Sequence, residues 1–122
     1  DLQNQIVCCS QGTNYEMLIE AIPGATLKTY QGQAAVGTAV AEATDGVVAG
    51  LTSINGSKKL ATTMLDANGN AMLKYFALED APADEYCMAF PKGSELTALF
   101  NEGIQTLQDS GKLDEMIHYW LY

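Results

Sequence analysis

Residue types that ordinarily mark a nucleic-acid interface are missing from this sequence or scarce in it. Its 122 residues include no arginine, one histidine and six scattered lysines, against 15 aspartates and glutamates. Phosphate contacts are made mainly by lysine and arginine, and arginine is also the residue best suited to grip a carboxylate through two hydrogen bonds. The composition therefore argues against nucleic acid and anionic membrane surfaces as partners. Any bound anion would have to be held by backbone amides, hydroxyls or lysine.

The cysteines and the single histidine form no metal-binding or catalytic pattern. Cys8 and Cys9 are adjacent and Cys87 lies far downstream, which fits neither a disulfide framework nor a CxxC pair. Both runs are apolar and strand-like, so we expect buried thiols; a bridge from Cys87 to Cys8 or Cys9 is the alternative. His118 has no second side chain with which to form a dyad or a multi-histidine site, so we expect no metal and no cofactor.

Long apolar runs are also missing. No stretch approaches the roughly 20 apolar residues that a membrane-spanning helix needs. The apolar share of 48% and the charged share of 17% are nevertheless typical of a folded soluble protein, and the length fits one domain with a real core.

Strand-like and helix-like segments alternate along most of the chain. We predict strands at residues 6–10, 25–30, 46–49 (buried on both faces), 72–78 and 85–90. Helices are predicted after a capping box at Thr13 and Glu16, at residues 33–43, at 57–65 after an Asn55-Gly56 turn, from Ser94 to Gly111, and at 113–120. Alternating strands and helices with short connections predict an α/β fold. The sheet is expected to be mainly parallel, with about five strands and helices on both faces.

The candidate ligand site lies where strands end, because ligands of open α/β sheets bind beyond the carboxyl ends of the strands. Residues 10–14 follow the first strand and residues 50–53 the third. Gly12 allows close approach of a ligand, and amides near Thr13 and Asn14, with a hydroxyl, would hold a carboxylate. The structural alternative is that Thr13 only caps its helix and Gly12 only turns the chain. The acidic residues at 79–85 lack the spacing of a calcium loop and are expected to form a solvated loop.

Three segments resemble the polar amino-acid solute-binding proteins of ABC importers. DLQNQIVCCSQGTNYEML resembles that family's DLxGKxVxVxxGTxxE stretch, and TYQGQAAVGTAVAEATDGVVAG resembles its unit ending in GxxDAVVxD. The strongest match is YCMAFPKGSELTALFNEGIQTLQDSGKLDEMIHYWLY, which is similar to the closing block YGIAxPKGsxELxxxxNxAlxxLxxxGxxxxIxxKW. Together these segments span essentially the whole chain in the family's order.

The resemblance implies one lobe of a two-lobed, periplasmic-binding-protein (type II-like) fold. Residues 1–90 would be lobe two, and residues 91–122 would be a C-terminal helical segment that normally packs on lobe one. The first lobe is expected to be missing from this chain. The apolar stripe of the first C-terminal helix would then need another partner, which predicts either a swapped homodimer or repacking onto lobe two.

The resemblance also assigns ligand-binding residues. Gly12, Thr13 and Asn14 match the segment that contacts ligand through backbone amides and the Thr hydroxyl, and Ser10 matches a position that sometimes lines the pocket. Gly50 stands where family members usually have an Asp that pairs with the ligand's ammonium group. Either another group serves that purpose here, or the ligand lacks the ammonium, or this chain has lost binding.

The expected function is therefore that of an extracytoplasmic solute-binding protein, periplasmic or at the cell surface, and not of an enzyme. It would deliver a small polar, amino-acid-like solute to the membrane permease of an ABC importer. The alternative is a ligand-sensing extracellular domain of a membrane receptor with the same fold. An enzyme such as a prephenate-type dehydratase is disfavoured because no acid–base pair stands near the loops that would face the cleft.

Overall fold

The computed structural model describes residues 2–78 and 86–121, which belong to two compact units, Asp1–Glu79 and Asp80–Tyr122. The elements of the first unit are β1 (Ile6–Ser10), α1 (Tyr15–Glu20), β2 (Thr26–Tyr30), α2 (Gly32–Ala41), a 3-10 turn (Thr44–Gly46), β3 (Val47–Leu51) and α3 (Ile54–Thr63). Those of the second unit are α4 (Leu96–Asp109) and α5 (Lys112–Leu121). The predicted acidic loop and the start of the fifth strand lie outside the described residues. The division into lobe two (1–90) and a C-terminal segment (91–122) stays a prediction.

The sheet of the first unit is parallel and has the order β2-β1-β3. β1 pairs with β2 in unbroken register from Ile6 opposite Thr26 to Ser10 opposite Tyr30. On its other side β1 pairs with β3, with an irregularity after Ile6 that leaves Val48 unmatched. The α/β class, the parallel sheet and these three strands are as predicted. Val48 is half exposed, however, so the third strand is not buried on both of its faces.

The side chains of β1 alternate between the two faces of this sheet, and helices cover both faces. One face carries the α1 cluster, defined as the buried residues Val7, Cys9 and Ile19. The opposite face carries the α2 cluster, defined as Cys8, Val36, Ala39 and Val47. Each of these seven side chains is almost wholly removed from water. β1 is therefore apolar on both of its faces.

The predicted fourth and fifth strands are wrong: the described sheet has three strands. Residues 72–78 and 86–90 have no regular secondary structure, and the first of these runs is preceded only by an isolated bridge between Leu65 and Ala71. The side chain of Phe76 is 73% exposed. An apolar run forms a strand only where another strand offers it a hydrogen-bonding edge, and no strand in the described residues offers one to these runs.

α3 begins three residues earlier than predicted. The Ser53 hydroxyl accepts a hydrogen bond from the Gly56 N–H at 3.1 Å, which caps the helix. The Asn55-Gly56 pair therefore lies in the first helical turn and does not form the predicted loop turn.

The second unit has the predicted pair of helices. The Ser94 hydroxyl accepts from the Leu96 N–H at 3.3 Å, and α4 ends at Asp109, just before Gly111. Phe90 lies against Phe100 of α4, with ring centroids 5.1 Å apart. Much of the apolar surface of this unit is exposed, including Leu96, Leu99, Tyr119 and Trp120.

All three cysteines lie within the described residues and are thiols. Cys8 and Cys9 are buried, as predicted, whereas Cys87 is exposed, contrary to prediction. The alternative of a bridge to Cys87 is therefore not realised. Across residues 2–78 and 86–121, no helix is long and apolar enough to cross a membrane.

Candidate functional site

The carboxyl edge of the sheet has a switch point between β1 and β3. From Ser10, at the end of β1, the chain turns to α1 on one face of the sheet. From Leu51, at the end of β3, it turns to α3, which lies beside α2: a Cβ at Gly37 of α2 would stand 2.8 Å from Leu60 of α3. Adjacent parallel strands whose chains leave to opposite faces open a crevice, the usual ligand position of such sheets.

Gln11 ties the loop after β1 to the start of α2. Its N–H donates to the carbonyl oxygen of Tyr30 at 2.9 Å, continuing the β1–β2 ladder by one bond. Its side-chain oxygen accepts from Nε2 of Gln31 at 2.8 Å. Two neighbouring strand ends are therefore joined by side chains as well as by backbone.

Gly12 turns the chain in a left-handed conformation, with φ of +77°. No atom outside its chain neighbours lies within 4 Å of where a Cβ would stand, so its surface is open. The Gly12 N–H donates to Oε1 of Glu16 at 2.6 Å. The amide that was expected to contact a ligand is thus bonded to a carboxylate of the same chain.

Contrary to prediction, Thr13 does not cap α1. Its hydroxyl donates to the Ser10 carbonyl oxygen at 2.7 Å, and Asn14, which precedes the helix, makes no capping bond through its side chain. Glu16 makes a bond of the kind that a capping box predicts, but its carboxylate accepts from the Gly12 N–H and not from the N–H of the cap residue.

The hydroxyl of Thr13 also contacts the Cys9 thiol. Burial raises the pKa of Cys9, the hydrogen bond with Thr13 acts in the opposite direction, and the negative charge of Glu16 raises it again. The net direction is upward, so Cys9 is a protonated thiol at neutral pH.

Gly50 lies apart from this loop. It is paired with Cys8 and faces the α2 side of the sheet, where an added Cβ would stand 2.8 Å from Cγ1 of Val36 and 3.0 Å from Cγ2 of Val40. A side chain at this position would enter the α2 cluster. Gly12, Thr13 and Asn14 therefore lie in one loop directly after Ser10, the last residue of β1, whereas Gly50 lies on the neighbouring strand and faces away from α1.

The structure brings several further polar groups, which the sequence does not predict, to the same edge of the sheet. The side-chain amide of Gln33 packs against Gly56: a Cβ added at Gly56 would stand 2.6 Å from Nε2 of Gln33. The Tyr30 hydroxyl is buried and has no hydrogen-bond partner among the described residues. The role of Ser53 as the cap of α3 could be predicted from the sequence, because Ser followed by a polar turn and an apolar run is a common helix start. Nothing local in the sequence signals the pairing of Gln11 with Gln31.

The chemistry available at this edge is hydrogen bonding by amides, hydroxyls and one carboxylate. In the described part of the chain, no three side chains of His, Cys, Asp or Glu are placed to hold a metal ion. A depression of about 310 Å³ in the second unit is lined by Lys112, Glu115, Met116, Tyr119 and Trp120, all on the single helix α5.

Comparisons with protein families, with curated proteins and with solved structures found no match to this chain. The edge geometry and the resemblance of the sequence motifs are therefore the grounds for a functional assignment.

Proposed function

We propose that this chain is a solute-binding module outside the cytoplasm, which delivers a small polar, amino-acid-like solute to the membrane permease of an ABC importer. The proposal involves no covalent step. Binding is by hydrogen bonds and charge at the loop of residues 10–14.

One observation carries the proposal: the loop after the central strand lies at the switch point of the parallel sheet and is built from small polar residues. Gly12 has open space around it, so a ligand can approach the backbone. Ser10 and Thr13 flank it with hydroxyls, and the bond from Gln31 to Gln11 fixes its position relative to β2. This is the place and the kind of lining that small polar ligands use in α/β sheets.

Gly50 contributes to this site only indirectly. Because a Cβ at this position would lie 2.8 Å from Val36 and 3.0 Å from Val40, the glycine allows α2 to approach the sheet closely. In this geometry a carboxylate at position 50 would be buried among apolar side chains, so a different residue must serve any cationic group of the solute.

The test is a binding screen of the full chain against the common amino acids and a few small polyols and carboxylates, by thermal shift and calorimetry. A solute at about 100 times its Kd adds about 2.7 kcal/mol of stability, which raises Tm by several degrees in a protein of this size. No shift for any of these solutes would contradict the proposal.

A pair of threonine variants locates the site. Thr13→Val removes one of the two hydroxyls beside Gly12, and Thr63→Val removes an exposed hydroxyl of α3 that donates to the Lys59 carbonyl oxygen. We expect Thr13→Val to weaken solute binding and Thr63→Val to leave it unchanged. Equal affinities for both variants would place binding elsewhere.

A further inference from the structure

Three hydrogen-bond donors of the loop after β1 already bond within the chain. The N–H of Gln11 donates to Tyr30, the N–H of Gly12 donates to Glu16, and the hydroxyl of Thr13 donates to Ser10. All three acceptors belong to the chain itself. An anion could engage these donors only by breaking bonds that the fold makes.

The carboxylate of Glu16, by contrast, has acceptor capacity to spare. A carboxylate offers about four lone-pair positions on two oxygens. In the described contacts of Glu16, Oε1 accepts from Gly12 at 2.6 Å and Oε2 has no bond. The side chain is half-buried and anchored at one oxygen, so a negative charge is held in a fixed place beside the open face of Gly12.

We infer that Glu16 determines the charge of the group received at this loop: it accepts a primary ammonium group of the solute and excludes a carboxylate. The inference rests on the proposed function and assigns one end of the solute to one residue. An ammonium donates three hydrogen bonds and accepts none, so it complements the remaining lone pairs of the Glu16 carboxylate.

Electrostatics act in the same direction. The chain has a formal net charge of −9 and contains no arginine, so its overall field attracts cations and repels anions. Neutralising any one glutamate weakens that long-range field by about the same amount, whereas only neutralising Glu16 removes a direct contact with the solute. Two glutamate variants can therefore separate the two contributions to binding.

The experiment compares three probes of similar size on the full chain by calorimetry: butane-1,4-diamine, succinate and glutamine. Glu16→Gln removes the charge but keeps an oxygen that can accept from Gly12. Glu20→Gln is the matched control, since it removes the same charge from an exposed position at the end of the same helix. Tm of each variant without ligand confirms folding.

We expect the diamine and glutamine to bind, and Glu16→Gln to weaken both at least fivefold while Glu20→Gln changes them less than twofold. Succinate should bind the Glu16→Gln variant better than the unmodified chain. Equal weakening by the two variants would reduce the effect to general charge attraction and overturn the inference. Tight succinate binding by the unmodified chain would overturn it too, while leaving the proposed function standing. If no probe and no amino acid binds, both proposals fail.

Discussion

Cys8 and Cys9 are neighbours in the chain but lie in different hydrophobic clusters: Cys8 packs under α2 and Cys9 under α1. They cannot share a partner, because consecutive side chains of a strand point to opposite faces. Burial, with a smaller contribution from Cys9, raises the pKa of the Cys8 thiol from 9.0 to about 11. The two faces of the sheet are thus each completed by one sulfur atom of the same dipeptide.

Thiol labelling should report this burial directly. Only the thiolate reacts, and only where reagent can reach it. We expect one rapidly labelled cysteine per native chain, the exposed Cys87, and labelling of Cys8 and Cys9 only as fast as the protein unfolds. The Cys87→Ser variant should lose the rapid phase entirely. Rapid labelling of two or three thiols at neutral pH would show that β1 is accessible and that the packing described is wrong.

The raised pKa of Cys8 also predicts a loss of stability in alkali. The unfolded thiol ionises near pH 9 while the folded one stays protonated, so the stabilisation is complete below pH 9 and declines as the pH rises towards 11. The difference between the two pKa values corresponds to roughly 2 to 3 kcal/mol. Urea unfolding at pH 7, 9 and 10.5 measures the decline. A Cys8→Ala variant, which has nothing to ionise there, should decline less, and an equal slope would refute the explanation.

Truncation of Ile19 should destabilise the first unit severely. Its side chain is wholly buried between Val7 and Cys9, so Ile19→Ala leaves a cavity in the α1 cluster and should reduce the free energy of unfolding by about 2–5 kcal/mol. Met17 lies on the same helix with 69% of its surface exposed, and Met17→Ala should change stability by no more than about 0.5 kcal/mol. Similar values for the two variants in denaturant titrations would argue against the packing of α1.

A methyl group at position 50 should destabilise the protein, although it is the smallest side chain that can replace the glycine hydrogen. In Gly50→Ala the new Cβ meets Val36 at 2.8 Å and Val40 at 3.0 Å, which should cost about 1–3 kcal/mol of stability through overpacking. Gly50→Asp should cost more, because it also buries an unpaired charge.

Gly103→Ala in α4 is the control for that experiment, since a Cβ there meets no atom within 4 Å. It should stabilise the helix by up to about 1 kcal/mol, as replacing an exposed helical glycine does. Thermal unfolding of the three variants gives the comparison. A stable Gly50→Asp protein with gained affinity for amines would instead place position 50 in the ligand site.

The first three strands could be predicted because their apolar character and their boundaries are local. β1 begins and ends where the sequence indicates, and its two cysteines are buried as predicted. The later strands could not be predicted, because residues 72–78 have strand-like composition but their pairing depends on a neighbour that no local pattern specifies.

The structure has the candidate loop at the end of β1, where the sequence predicts a turn, but the hydrogen bonds of the loop differ from the expected ones. Gly12 and Glu16 are four residues apart, close to the spacing of a capping box, and only the structure shows that the bond forms one residue earlier and that Thr13 turns back to Ser10. Side-chain rotation decides between these patterns, and sequence spacing does not record it. The sequence also does not show which face of the sheet Gly50 lies on, because that depends on the register of β3 on β1.

The strand order has a consequence for how the chain folds during synthesis. β2 and β3 each bond to β1 and not to each other, so β1, which leaves the ribosome before either of them, is the template for both. Ile6 must wait for Thr26 and then for Val47, partners 20 and 41 residues later. Until then both apolar faces of the template are unprotected, which is a hazard of slow parallel pairing. Loss of residues 6–10 would remove both ladders at once, whereas loss of either outer strand would remove only one.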